Sequence, residues 1–215
     1  MRIVVANNSK RALGFVALAV CLSLLPDRVE AQSDDGAMFF SAGLSSHLPS
    51  SDYVKHGFGA DVTMGGVVGR HVFGLDFDVE AMGRCQKDIY THKGDIYAGE
   101  RISAIGINAF YGRQARRFGV VGLTPYLGLG ARSYYGGVRD EIYIDDEDDD
   151  FAVYKTGVSF GVGLMADIPL FRSSDALVGH ALCIKPYFSI TEYGRQLNAV
   201  PAFNLTVQWR FEFDF

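Results

Sequence analysis

Residues 203–215 read FNLTVQWRFEFDF, with apolar and polar side chains in strict alternation over thirteen positions. Successive side chains of a β-strand point to opposite faces, so one face of this stretch is apolar and rich in aromatic rings while the other is polar. At about 3.3 Å per residue and a tilt of about 40°, such a strand crosses about 30 Å, the hydrocarbon thickness of a bilayer. Strands of soluble sheets also alternate, but they usually have about five or six residues. The stretch therefore predicts a membrane-spanning strand.

The N-terminus has the pattern of a secretory signal peptide. Basic residues up to Arg11 precede the apolar run Ala12–Leu25, and Val29-Glu30-Ala31 places small side chains where signal peptidase cleaves. The run is too short for an uncleaved anchor, which needs about 18 apolar residues. We therefore predict a signal peptide over 1–31 and a single domain over 32–215.

The charge balance of the predicted domain argues against a nucleic-acid partner. The signal segment carries four of the 20 basic and two of the 25 acidic residues, which leaves 16 against 23 and a net charge of −7. A nucleic-acid-binding face would need the opposite sign. Cys85 and Cys183 fall toward opposite ends of the predicted layout, so we expect two separate thiols, although an exported protein can form disulfides.

Similar alternation, separated by turn signals, predicts eight strands. They cover about residues 37–46, 58–68, 73–80, 96–111, 120–135, 154–168, 181–193 and 203–215. Lipid offers no partners for an open sheet edge, so the sheet must close. The predicted fold class is all-β, an eight-stranded antiparallel up-and-down transmembrane β-barrel. In the fourth strand Arg101 and Ser103 fit one register and Ile105 and Ile107 another, which predicts a bulge near Ala104.

The connections between the strands predict the orientation of the barrel. With both termini on the periplasmic side, the external connections are 48–56, 83–95, 136–151 and 194–199, and the inner turns are 69–71, 112–118 and 169–179. Outer-membrane barrels have short periplasmic turns and longer external loops. The third external connection and the first inner turn follow this rule. The lengths of the fourth external connection and the last inner turn do not distinguish the two sides.

Three short stretches resemble a known family. Residues 125–130 read PYLGLG, residues 157–161 read GVSFG, and the sequence ends on Phe215 with aromatic residues two and four places earlier. These features resemble small bacterial outer-membrane β-barrels of the OmpA membrane-domain and OmpX type. The resemblance implies an outer-membrane location and contact with membrane lipid and lipopolysaccharide. It also implies a monomer with a structural or surface-interaction role, and insertion by the barrel assembly machinery. The segment that this machinery would recognise contains Trp209, Phe211, Phe213 and Phe215.

Charged side chains on the polar faces predict a filled lumen. Folding each hairpin about its loop brings one set to similar depth: Asp76, Asp78, Glu80, Arg101, Arg132 and Lys155. A second set lies nearer the periplasmic end: Lys185, Arg210 and Glu212. An eight-stranded barrel is only just wide enough for its own side chains, and unpaired buried charges are costly. We therefore expect ion pairs that plug the barrel; the alternative is a narrow, gated pore for small solutes.

The third external connection is strongly acidic, with eight Asp or Glu residues between Arg139 and Asp150. Oxygen ligands suit Ca²⁺, but the run lacks the glycine and the spacing of an EF-hand loop. We interpret it as a solvated surface loop and predict no metal site and no cofactor.

Several tyrosines, with Trp209, fit either an interfacial girdle or lumen packing. They are Tyr134, Tyr135, Tyr143, Tyr154, Tyr187 and Tyr193.

No catalytic motif is present in the sequence. Two histidines and four serines lie in or beside one external loop, and lipid A hydrolysis is the alternative that such a group suggests: His47, His56, Ser45, Ser46, Ser50 and Ser51. The chain has no His-x-Ser-Asn pattern of the lipid A deacylases and no Gly-x-Ser-x-Gly elbow. We predict that it is not an enzyme. A periplasmic lipocalin-like barrel, with its apolar faces inward, is the non-membrane alternative.

Overall fold

The computed structural model describes residues 36–91, 94–114, 116–118, 121–136, 153–171, 178–194 and 197–214. These residues form the strands β1 (Ala37–Pro49), β2 (Gly57–Val68), β3 (His71–Arg84), β4 (Ile89–Thr91), β5 (Gly94–Ile96), β6 (Arg101–Arg113), β7 (Arg116–Phe118), β8 (Val121–Gly136), β9 (Val153–Phe171), β10 (Val178–Glu192) and β11 (Ala199–Asp214). The described part of the chain contains no helix long and apolar enough to cross a membrane. The predicted signal peptide, the acidic loop and Phe215 lie outside the described residues.

Eight long strands form one closed sheet. Consecutive long strands pair along the ring order β6-β3-β2-β1-β11-β10-β9-β8, β6 also pairs with β8, and the pairing of the first strand β1 with the last strand β11 closes the ring. All of these pairings are antiparallel. The short β7 pairs only with β8, and β4 and β5 form a separate hairpin. The predicted eight-stranded antiparallel up-and-down barrel is confirmed.

The outer wall of the barrel is apolar. Leu44, Phe160 and Val207 are 74%, 53% and 42% exposed, while the alternate positions of the same strands face the interior. In water such a wall would leave a very large apolar surface solvated, far beyond the patches of soluble proteins. The barrel therefore spans a bilayer, and the lipocalin-like arrangement with inward apolar faces is excluded.

The fourth long strand differs from its prediction. It begins at Arg101, and Ile96 belongs to the β4–β5 hairpin instead. Exposed and buried residues alternate along β6 without the phase change predicted near Ala104. The irregularity lies on the partner strand, where the register of β3 against β6 shifts between Ala81 and Arg84. Gly83 stands in this bulge with φ of 74°, a left-handed conformation that glycine adopts without strain.

The two ends of the barrel carry different connections. The hairpin end carries the long connection 85–100 with β4 and β5, whereas the turn end carries the two-residue turn of Gly69 and Arg70. β1 begins and β11 ends at the turn end, since Ala37 pairs with Asp214. In the predicted orientation the hairpin end is external.

Candidate functional site: the barrel interior and its lid

Arg132 forms the first ion-pair group inside the barrel. One of its terminal nitrogens lies 2.6 Å from Asp78 Oδ2 and 2.5 Å from Glu80 Oε2. Arg132 is on β8 and the two acids are on β3, so the contact spans the intervening strand β6. Gly106 is the β6 residue in register with both Arg132 and Asp78, and a Cβ there would lie 2.8 Å from Asp78 Cγ. The bare backbone at Gly106 therefore leaves room for the pair.

Lys185 holds the second group. Its Nζ lies 2.7 Å from Asp76 Oδ1 and 3.4 Å from Asp61 Oδ1, and it donates a hydrogen bond of 2.8 Å to Thr63 Oγ1. Gln208 on β11 donates to Asp61 and to Thr63 from the other side. Lys185 is only 2% exposed. Because it is surrounded by partners from two strands across the lumen, its charge is fully compensated in the interior.

Arg210 forms a third group nearer the turn end. Its guanidinium lies 2.8 Å from Asp167 Oδ2 and 4.2 Å from the centre of the Phe39 ring. The sulfur atoms of Met165 and Cys183 lie 3.6 Å and 3.5 Å from the same guanidinium. The ring, the sulfurs and the carboxylate leave little free space around this cation.

Little space remains between the first two groups. A cavity of about 30 Å³ lies there, enough for about two water molecules. It is lined by side chains that include Asp61, Asp76, Asp78, Glu80, Arg132 and Lys185. Ser45 Oγ also faces the cavity and has no hydrogen-bond partner in the described part of the protein. Among the described residues, this part of the interior is therefore polar and filled, with room for water only.

Two tyrosine rings fill the lumen beside this cavity. Tyr126 and Tyr187 stack with their ring centres 5.6 Å apart and their planes 8° apart. The Tyr187 ring lies against glycine backbone, since a Cβ on Gly128 would come within 2.8 Å of its hydroxyl and one on Gly161 within 2.6 Å of its Cζ. Glycines of the PYLGLG and GVSFG stretches thus make room for the aromatic filling.

Apolar side chains from several connections form a lid over the hairpin end. Val54, Ile89 and Ile96 are 1%, 0% and 0% exposed, although all three lie outside the eight barrel strands. The lid cluster contains Val54, Met82, Cys85, Ile89, Ile96, Ile102, Ala104, Tyr134, Tyr193, Leu197 and Val200. The rings of Tyr134 and Tyr193 stack inside it at 5.0 Å. Burial raises the pKa of the Cys85 thiol and that of the Tyr193 phenol, because both charged forms would be poorly solvated here.

A second apolar cluster closes the turn end. It contains Phe39, Val72, Phe110, Tyr126, Met165 and Cys183. Cys85 lies in the lid and Cys183 in this second cluster, and both thiols are free, as the sequence predicts. The Arg132 and Lys185 groups therefore lie between the lid and this second cluster, and Arg210 packs against the second cluster itself.

The structure brings together only part of the predicted lumen sets. Arg132, Asp78 and Glu80 meet, whereas Asp76 binds Lys185 of the other set. Glu212 and Lys155 occupy inward positions near opposite ends and are half-buried. No ion pair joins Lys155 to another residue of the described ranges.

Arg101 was predicted in the lumen, and that placement is wrong. It is exposed on the outer face of β6, in phase with the exposed Ile105 and Ile107. Because the predicted phase change near Ala104 does not occur, the outward register of the isoleucines extends to Arg101.

Other predicted residues are placed as follows. Trp209, Phe211 and Phe213 lie on the outward register of β11, with Trp209 39% and Phe213 42% exposed. Ser45 and His47 are buried inside the barrel instead of lying at a loop surface, and His47 Nδ1 contacts Asn204 Oδ1. Of the tyrosines, Tyr134, Tyr187 and Tyr193 face inward, while Tyr135 and Tyr154 contact each other on the outer wall.

Asp61, Asp167 and Gln208 belong to the interior network but were not predicted from the sequence. The signal for Asp61 was present, because its neighbours Ala60 and Val62 belong to the outward face of β2. Asp167 likewise holds the inward register of β9 two residues after Met165. Among the described residues, no group of three or more His, Cys, Asp or Glu side chains is arranged to hold a metal ion.

Comparison with known proteins adds support for the fold. No protein-family model matches the chain, and no curated protein does. Among solved structures, Neisserial surface protein A aligns with a TM-score of 0.52 at 12% identity, over 84% of this chain and 98% of that one. Ail, the attachment invasion locus protein of Yersinia pestis, aligns with 0.48 at 13% identity, over 83% and 99%. A major outer membrane protein from Thermus thermophilus aligns with 0.48 at 14% identity, over 83% and 99%. With its lipid-facing wall, the chain has the fold of small outer-membrane barrels and is a protein of the bacterial outer membrane.

Proposed function

We propose that this chain is a closed, non-conducting outer-membrane barrel with a structural or surface-contact role. The observation that supports this most is the filled interior. The ion pairs of Arg132 and Lys185 fill the middle of the lumen, the lid covers one end, and Arg210 packs with the second apolar cluster at the other. A hydrated ion would have to displace ion pairs whose disruption costs about 3–5 kcal/mol each. That barrier argues against the narrow pore.

The lid supports a role for the external surface. Its buried anchors hold the connections against the barrel, so the outer sides of these connections form a fixed surface. Tyr90 and Tyr97 on the hairpin are 57% and 48% exposed, and Lys87 pairs with Asp52 of another connection at 3.1 Å. Rigid, exposed aromatic and charged side chains suit protein or glycan contact at the cell surface.

Hydrolysis of lipid A gains no support from the interior residues. Ser45 and His47 lie inside the barrel behind the lid, where the acyl chains of a membrane lipid have no access. We expect lipid A incubated with the purified barrel to keep its mass.

Single-channel recording tests the proposal. The purified chain, reconstituted in a planar bilayer, should show no steady conductance. Arg132→Ala opens space in the lumen and should produce brief openings, whereas Arg101→Ala, a matched change on the outer wall, should stay silent. Steady conductance of the unmodified chain that Arg132→Ala changes and Arg101→Ala does not would establish the pore instead.

A further inference from the structure

Two arginines are neighbours on the outer wall near the hairpin end. Arg84 on β3 and Arg101 on β6 are cross-strand partners, and both side chains are exposed. Simple alternation from the buried Met82 would turn Arg84 inward. The bulge at Gly83 changes the phase of β3 and brings Arg84 to the face that Arg101 occupies.

Like charges at directly opposed positions of a sheet are destabilising, so this pair needs compensation. No acidic side chain of the described ranges forms an ion pair with either arginine. The nearby Glu100 lies opposite the buried Cys85, and its backbone carbonyl accepts a hydrogen bond from the Cys85 N–H. The Glu100 carboxylate accepts a hydrogen bond from the Tyr97 N–H. Arg84 donates to the Gly99 carbonyl at 3.0 Å, which fixes the direction of its guanidinium.

The depth of the pair is that of lipid headgroups. Ten residues along β6 separate Arg101 from Tyr111, which bonds His71 at the turn end. They span about 33 Å of strand and about 25 Å of membrane at a tilt of about 40°, which is the height of the apolar band of such barrels. Tyr135 is the cross-strand partner of Ser103, two residues below Arg101, and its ring lies 5.9 Å from that of Tyr154. Tyrosines at the outer wall are typical of the interface.

We propose that Arg84 and Arg101 bind the phosphate group of a phosphorylated lipid in the outer leaflet. Guanidinium groups bind phosphate through two parallel N–H bonds, and two adjacent guanidiniums match its double charge. The exposed Ser103 hydroxyl lies on the same face and can donate a further hydrogen bond. The phosphate is borne by a lipid, because the pair lies between the apolar wall and the connections. This inference rests on the membrane insertion of the proposed function and on the predicted orientation with the hairpin end external, but not on the closed lumen.

Binding of phosphorylated lipid A to the full purified barrel tests this site. Native mass spectrometry after equilibration in mixed micelles gives the bound fraction and so the apparent dissociation constant. The double variant Arg84→Gln/Arg101→Gln should bind lipid A at least about tenfold more weakly, since it removes two charge-assisted hydrogen-bonding groups. Arg84→Lys/Arg101→Lys should recover part of the affinity. Lys87→Gln, which removes one charge from a connection above the membrane, should bind as the unmodified chain does.

Three results would overturn the inference. One is equal binding by the unmodified chain and a double-glutamine variant whose β-sheet circular dichroism shows that it is folded. Another is equal binding of lipid A with and without its phosphates. The third is release of lipid A by equimolar inorganic phosphate, which would assign the site to a free anion and refute the lipid source. If lipid A binding does not depend on these arginines and the reconstituted chain still shows no conductance, only the lipid site is refuted and the closed-barrel proposal is unaffected.

Discussion

Replacing Lys185 with methionine should be among the most damaging single changes in this barrel. Lys185 is 2% exposed and reaches Asp76, Asp61 and Thr63. Methionine keeps most of the volume but leaves two buried carboxylates without their cation. Removing one partner of a buried ion pair costs about 3–5 kcal/mol. With a urea dependence of about 2 kcal/mol per molar, the unfolding midpoint should fall by about 1.5–2.5 M.

Equilibrium unfolding from lipid vesicles in urea measures this loss. Trp209 is the only tryptophan and lies on the outer wall, so its fluorescence reports departure from lipid. Lys155→Met is the matched control, because Lys155 is half-buried and has no ion pair in the described ranges; its cost should stay under about 1 kcal/mol. Adding Asp76→Asn to Lys185→Met should restore at least half of the lost stability, since it removes one uncompensated charge. If Lys185→Met shifts the midpoint no more than Lys155→Met does, the ion-pair account of the lumen is wrong.

Three further outcomes follow from the interior, the lid and the C-terminal strand. Gly128→Val should lower the free energy of unfolding by about 1–3 kcal/mol in the same urea titration, because the new side chain overlaps the Tyr187 hydroxyl; an unchanged midpoint would contradict the described packing. Cys85 should react with maleimide at pH 7 only after denaturation, because its side chain is buried and its pKa is raised. The unreactive thiol form should therefore persist as the pH rises toward 9. Rapid labelling of the folded barrel would show that the lid opens. Phe213→Ala should slow insertion by the assembly machinery several-fold while Phe160→Ala, equally lipid-facing, does not; equal rates would remove the proposed recognition role.

The barrel itself was predictable because period-two alternation over long strands reports directly which way each side chain points. The lipid-facing register of Leu75, Phe160 and Val207 follows from local sequence, and closure follows from the cost of an open edge in lipid. The strand that failed was β6. The side chain of Arg101 was predicted to face the lumen because it is charged. Positions of the outer wall at the membrane interface also accept charged side chains, and Arg101 lies at such a position.

Partners inside the lumen were less predictable than the lumen itself. Which acid meets Lys185 depends on the stagger between strands, and folding hairpins about loop centres gives only an approximate depth. Asp76 therefore appeared beside Arg132 in the prediction and lies beside Lys185 in the structure. The lid was not predicted at all, because Ile89 and Ile96 look like ordinary strand or loop residues until β4 and β5 pair above the opening.

The lid divides the exposed connections into positions with different evolutionary freedom. Polar substitutions at four anchors would expose the Tyr134–Tyr193 stack to water: Val54, Ile89, Ile96 and Leu197. Selection should therefore remove such substitutions. Tyr90 and Tyr97, at the exposed tips of the hairpin, do not cover this stack, so substitutions there should be tolerated. Natural variants of this chain should therefore differ more at the tips than at the four apolar anchors.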